Sequence, residues 1–145
     1  MRYALISAIV LGIATPVFAH HSFAMYDQTV TKTMSGRLTR YVPGANHAQL
    51  LFVVVDEQGK EVMKDGKPLQ WGVETGSALA MSRNGVTPSA FPEGTFFTVR
   101  FYPLRDGRNF GALAGMLITC GKAMPAGGCT AETGKRLIGD TFNAQ

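Results

Sequence analysis

Hydrophobic and polar residues alternate in several short segments of the chain, with the two-residue period of β-strands that are buried on one face. β-Branched residues are frequent at 29–42, and a strongly apolar segment follows at 47–56. Apolar residues occupy every second position at 68–75 and again at 95–102. A fifth segment, 109–119, resembles a strand that two glycines loosen. The pattern therefore predicts five strands.

One segment departs from this period and predicts a short helix between the third and fourth strands. Ser77 is a candidate N-cap, helix-forming residues follow it, and Gly85 is a stop signal. The resulting order β-β-β-α-β-β predicts an all-β protein with one short helix, a five-stranded OB-like Greek-key barrel. An open α+β sandwich would give the same order of elements and remains the alternative.

Three further features refine the predicted barrel. Gly36 interrupts the first strand, where we expect a bend or a β-bulge. Residues 61–66 resemble a hairpin extension between the second and third strands. The end of the chain, about 120–145, is expected to be mostly irregular.

The chain begins with the features of a secretory signal peptide. One basic residue, Arg2, precedes an apolar run at 4–14, and Val17-Phe18-Ala19 forms a small-residue cleavage site. The apolar run is shorter than the roughly 20 residues that span a bilayer. We therefore expect a signal peptide at 1–19, a single domain at 20–145, a periplasmic or secreted location, and no stable membrane insertion.

Charge and motifs exclude some classes of function. The formal net charge is +4, and the basic residues are scattered along the chain rather than grouped in a stripe. This distribution and the predicted export argue against nucleic acid as a partner. The sequence contains no nucleophile elbow, phosphate-binding loop or nucleotide fingerprint. We therefore expect a binding protein rather than an enzyme.

The two cysteines predict a disulfide. Cys120 and Cys129 are the only cysteines of the chain, and a segment rich in glycine and proline separates them. Even numbers of cysteines in exported proteins are typically paired. Such a bond contributes roughly 2 to 3 kcal/mol by the chain-entropy model. A redox or metal pair would more often have the spacing Cys-x-x-Cys.

The three histidines are the candidate metal ligands. Cleavage after residue 19 would place His20 at the new N terminus, where its amine and imidazole could chelate one metal ion together. His21 is adjacent, and His47 is the only other histidine. A set of three nitrogens suits Cu(II), and Met25 and Asp27 are possible additional ligands. The alternative is a solvated terminus, with the remaining histidine packed at the end of a strand.

The third strand contributes two further candidates. Trp71 and Glu74 are possible ligand-facing residues, as a stacking platform and a carboxylate. Because they are three positions apart, they point to opposite faces of a strand and cannot share one pocket directly. Trp71 in the core, and Glu74 as a helix cap or ion-pair partner, is the alternative interpretation.

Several short motifs together resemble a known family. They are His20-His21-Ser22-Phe23-Ala24, Tyr26-Asp27, Gly36, Asn46-His47-Ala48, Trp71 with Glu74, Arg83-Asn84-Gly85, Pro92-Glu93-Gly94 and Pro103-Leu104-Arg105-Asp106-Gly107. Over about 20–118 the chain is similar to an uncharacterised family of small exported bacterial proteins, domain of unknown function 6152. That resemblance implies the exported location and the barrel, and no particular activity.

Two functional hypotheses follow. A mature N-terminal histidine resembles, at that one residue, the copper brace of periplasmic copper carriers and lytic polysaccharide monooxygenases. We therefore expect a small periplasmic binding module that holds copper through His20, His21 and His47. The alternative is an OB-like barrel that binds a protein or a small molecule without a metal. Of all these interpretations, an uncharacterised enzyme is the least favoured.

Overall fold

The computed structural model of the protein describes residues 23–139, which form eight strands, one α-helix and one turn of 3-10 helix. The 3-10 turn (Phe23–Met25) precedes the first strand, and the helix α1 (Ala78–Arg83) lies between the fifth and sixth strands. The strands are β1 (Lys32–Val42), β2 (Gln49–Val54), β3 (Met63–Lys64), β4 (Lys67–Pro68), β5 (Gln70–Glu74), β6 (Phe96–Pro103), β7 (Phe110–Gly121) and β8 (Lys135–Ile138).

Five of these strands close into a barrel. Their order around the sheet is β5-β2-β1-β6-β7, and each neighbouring pair in that order is antiparallel. A parallel pairing of β5 with β7, in which Gly72 lies opposite Phe110 and Glu74 opposite Ala112, closes the ring. The predictions of a mostly β protein, a five-stranded barrel and one short helix are therefore confirmed.

The core fills the inside of the barrel. Phe97, Val99 and Phe101 alternate along β6 and are completely buried, as the two-residue period predicted. The ring of Phe97 packs edge-on against that of Phe52 on β2, with 5.1 Å between the ring centroids. Burial of each such side chain stabilises the fold by about 1.5 to 3 kcal/mol.

The helix forms where its capping signals predicted it. The backbone N–H of Ala80 donates to the Ser77 side-chain oxygen at 3.1 Å, and Gly85 adopts the positive φ of 79°. Met81 is completely buried and anchors the helix to the core. Within residues 23–139, no helix has the length and apolar character that membrane crossing requires.

The role predicted for Gly36 was wrong in its detail. The register between β1 and β2 shifts between Leu38 and Arg40, so the irregularity lies at Thr39. Gly36 stays in regular register with both neighbouring strands. A Cβ atom there would overlap the ring of Phe52. The glycine therefore permits a close approach of a core ring rather than a bulge.

The end of the chain is more regular than the sequence predicted. Residues 135–138 form β8, which pairs antiparallel with β7, so the tail predicted to be mostly irregular contains one strand. The predicted disulfide is confirmed, with 5.8 Å between the Cα atoms of Cys120 and Cys129. The hydroxyl of Thr98 on β6 donates to the Cys129 carbonyl oxygen at 2.6 Å. The cross-linked loop is thus fixed to the barrel wall.

Candidate functional site

The site lies on the outer face of the barrel, where β5 ends. Along β5, Trp71 and Val73 point into the core, so the alternation directs Gly72 and Glu74 outwards. Glu74 lies opposite Gln49 of β2 in the antiparallel register. The last residue of the strand therefore presents a carboxylate next to the segment that enters β2.

The carboxylate of Glu74 contacts two side chains from distant parts of the sequence. The hydroxyl of Tyr26 donates to its Oε2 atom at 3.1 Å. Its Oε1 atom lies 3.3 Å from Nδ1 of His47. The same Nδ1 atom lies 3.2 Å from the carbonyl oxygen of Thr75. The Glu74 side chain is 19% exposed and that of His47 is 31% exposed. The three side chains thus form a line from the protein interior towards solvent.

Tyr26 belongs to a short N-terminal segment, residues 23–27, that is fixed to the end of β6. The backbone N–H of Asp27 donates to the carbonyl oxygen of Pro103 at 2.8 Å, and that of Arg105 donates to the carbonyl oxygen of Met25 at 2.9 Å. Tyr26 is only 1% exposed. The ring of Phe23 packs edge-on against it at 6.0 Å. The N-terminal segment is therefore anchored beside Glu74.

The environment of Tyr26 keeps its hydroxyl protonated. Burial raises its pKa well above the usual value, and the negative charge of Glu74 and the hydrogen bond to it act in the same direction. The positive charge of Arg108 opposes this shift. Tyr26 is therefore a neutral donor to a carboxylate acceptor.

A cleft of about 390 Å³ opens beside this line of side chains. Phe110 forms part of its wall, and its ring lies so close to Gly72 that a Cβ atom there would overlap it. Both polar and apolar side chains line the cleft. Its lining residues are Met25, Tyr26, Gln49, Glu74, Leu104, Arg108, Asn109 and Phe110.

Arg108, which lines the cleft, and Arg105 each form an ion pair. Arg108 contacts the carboxylate of Asp106 at 2.8 Å, and hydrogen bonds from the Arg108 backbone and side chain hold the pKa of that carboxyl below its usual range. Arg105 lies 3.9 Å from Asp27, whose pKa is lowered mainly by hydrogen bonds from Thr29. Arg105 and Arg108 therefore each have a carboxylate partner of their own.

The candidates taken from the sequence fall in different places. The structure brings His47 and Glu74 together, whereas Trp71 lies inside the barrel with 9% of its surface exposed. His20 and His21 lie outside the described residues. Among residues 23–139, no group of three or more histidine, cysteine, aspartate or glutamate side chains could hold a metal ion.

Sequence reasoning missed Tyr26 as a partner of Glu74. The two residues are 48 positions apart, and no local spacing connects them. Arg108 was likewise not among the candidates, and Asn109 was assigned only to the start of the fifth strand. The one available signal was the pair Tyr26-Asp27, which is part of the family resemblance.

Comparison with known proteins gives one match. Neither the curated proteins nor the solved structures contain a significant match to this sequence. The model of a family of unknown function, DUF6152, matches residues 8–113, which is more than half of the chain. The chain therefore belongs to the DUF6152 family.

Proposed function

We propose that the protein is a small exported binding module that holds Cu(II) through the N-terminal amine and imidazole of His20, with His21 and His47 as further ligands. The observation that carries this proposal is the bridging carboxylate of Glu74. It contacts Tyr26 of the N-terminal segment and His47 at the entrance to β2. The chain that follows the first two histidines is thereby joined to the neighbourhood of the third.

Only a short stretch of chain separates the first two histidines from the N-terminal segment. Ser22 alone separates His21 from Phe23, and Phe23 packs on Tyr26. An extended chain covers up to about 3.5 Å per residue, so His20 can reach a point about 10 Å from Phe23. Because the connecting stretch is short in sequence, the entropic cost of closing such a site is small.

The contacts of His47 suit a metal ligand. Imidazoles that bind metals generally donate the other ring N–H to a carboxylate or a backbone carbonyl. Nδ1 of His47 lies beside both kinds of acceptor, the Oε1 atom of Glu74 and the carbonyl oxygen of Thr75. Nε2 then carries the lone pair that a metal needs. A set of nitrogen ligands favours Cu(II) over the harder cations.

Isothermal titration of the processed protein with Cu(II) tests this function. A variant with one glycine added before His20 converts the amine to an amide and keeps every side chain, so we expect its affinity to fall by at least about tenfold. His47→Ala should also weaken binding. Binding should decrease at acidic pH, because protons compete with the metal for the imidazole nitrogens. Equal affinity of the native and the extended proteins would contradict the proposal.

A second candidate function is favoured by the cleft. Its volume of about 390 Å³ lies in the range of small-molecule sites. In the predicted OB-like arrangement, the second and third barrel strands and the adjacent loops form the ligand face. Gln49 of β2, Glu74 of β5 and Asn109 before β7 line the cleft. This barrel would bind a small polar ligand without a metal.

Maltotetraose is a suitable probe for the second function, because OB-like barrels include oligosaccharide binders. The metal-free protein would be titrated with it and observed by NMR. Shifts confined to the amide groups of Gln49 and Asn109, lost in Asn109→Ala, would support this function. No shift at millimolar concentration would argue against it for this class of ligand.

A further inference from the structure

The carboxylate of Glu74 is held in a defined orientation from its buried side. The Tyr26 hydroxyl donates to Oε2 at 3.1 Å. Tyr26 itself is only 1% exposed and is fixed by the backbone hydrogen bonds of its two neighbours to the end of β6. The tyrosine therefore restricts the rotation of the carboxylate and directs the other oxygen, Oε1, towards His47.

One ring nitrogen of His47, Nδ1, faces two oxygen acceptors. Nδ1 lies 3.3 Å from Oε1 of Glu74 and 3.2 Å from the carbonyl oxygen of Thr75. A carboxylate and a carbonyl only accept hydrogen bonds. A lone pair on Nδ1 would be repelled by both oxygens, whereas an N–H there is attracted by both. The neutral ring therefore carries its proton on Nδ1 and its lone pair on Nε2.

We propose that Glu74 is the positioning residue of the site, which fixes the tautomer and the ring orientation of His47 so that Nε2 faces the ligand. The effect of Glu74 on metal affinity rests on the proposed copper site. The Nδ1–H tautomer of His47 is expected in the metal-free protein as well. Glu74 acts through His47 and is not itself a ligand. Each of its carboxylate oxygens already has a partner within the protein.

Nitrogen NMR of the metal-free protein tests the tautomer directly. In the neutral form of the ring, the nitrogens of His47 should show the pattern of the Nδ1–H form. Glu74→Gln removes the negative charge that favours an N–H on Nδ1, whichever way the amide is oriented, so the pattern should shift towards the Nε2–H form. A wild-type ring with Nε2–H, or an unchanged pattern in the variant, would overturn the inference.

Copper titration separates a positioning residue from a direct ligand. Loss of the group that orients a metal-binding histidine typically lowers affinity by 10- to 100-fold. Glu74→Gln should cause a loss of that size in the wild-type background and no further loss in His47→Ala. A comparable loss in both backgrounds would mean that Glu74 acts on the ligand directly, which would overturn the assigned role.

Glu93→Gln is the matched control, because Glu93 is exposed and does not line the cleft. This variant should keep the wild-type tautomer and affinity. Unfolding curves of both glutamine variants establish that they are folded before they are compared.

The same measurements distinguish failure of the inference from failure of the copper function. If the wild-type ring is Nδ1–H and shifts in Glu74→Gln, but Cu(II) does not bind, the copper function fails and the positioning of the ring stands. If Cu(II) binds equally to wild type and Glu74→Gln with the same tautomer, the positioning role fails and the copper function stands.

Discussion

The two faces of β5 contribute to different parts of the molecule, the core and the candidate site. On the inner face, Trp71 packs against Phe101 with 5.2 Å between ring centroids, and Val73 is completely buried. On the outer face, Gly72 accommodates the ring of Phe110 and Glu74 joins Tyr26 to His47. A strand of five residues therefore contributes alternately to the core and to the site. Substitutions one position apart should have separable effects on stability and on binding.

The largest expected effect is on the inner face. Trp71→Ala removes a buried aromatic side chain and leaves a cavity, so we expect a loss of about 3 to 5 kcal/mol in the free energy of unfolding. Urea titration followed by far-ultraviolet circular dichroism measures it without needing tryptophan fluorescence. A loss below about 1 kcal/mol would show that the two faces do not differ in the way described.

A smaller effect is expected on the outer face, at Gly72. In Gly72→Ala the added methyl group meets the ring of Phe110, and overpacking of this kind costs about 1 to 3 kcal/mol. Because Phe110 lines the cleft, NMR signals of cleft residues should shift as well. Gly139→Ala is the control, since an added Cβ there meets open space. Equal stability of both variants would contradict the close packing of Phe110 on β5.

On the outer face, Tyr26→Phe should cost about 1 to 2 kcal/mol, because it removes a buried hydroxyl that donates to a carboxylate. Chemical unfolding of Tyr26→Phe, Glu74→Ala and the double variant would measure the coupling of the two residues. We expect the double variant to lose less than the sum of the single variants. Strict additivity would mean that the contact contributes nothing to stability.

The smallest predicted effect is a pH dependence at the same residue. The pKa of Tyr26 is raised in the folded protein, whereas an unfolded tyrosine ionises near pH 10. Above about pH 10 the folded state therefore binds more protons than the unfolded state, and stability falls as pH rises. Tyr26→Phe should show a weaker decrease. Part of the slope should remain, because burial also raises the pKa of Tyr41. An identical slope in both proteins would contradict the burial of Tyr26.

Local patterns predicted most of the fold. Alternation located the barrel strands to within a few residues, and Ser77 with Gly85 located the helix. The strand β8 was missed because it is only four residues long and begins with two charges, Lys135 and Arg136. The role of Gly36 depends on the ring of Phe52, which lies on another strand, and no local pattern reports such a contact.

Less of the site was predictable. The period of β5 correctly separated Trp71 from Glu74, because side-chain direction in a strand is a local property. The contact of Glu74 with Tyr26 depends on how the N-terminal segment docks on β6, which is a tertiary property. Residue type and spacing therefore identified Glu74 and His47 as candidates without showing that they touch.

Pulsed electron paramagnetic resonance of the Cu(II)-loaded, processed protein tests the central claim most directly. It counts the imidazoles bound to copper through their remote nitrogens. We predict that copper in wild type is bound by the imidazole of His47 as well as by the N-terminal histidine, and that His47→Ala lowers the count by one. The same number of bound imidazoles in wild type and His47→Ala would contradict the account.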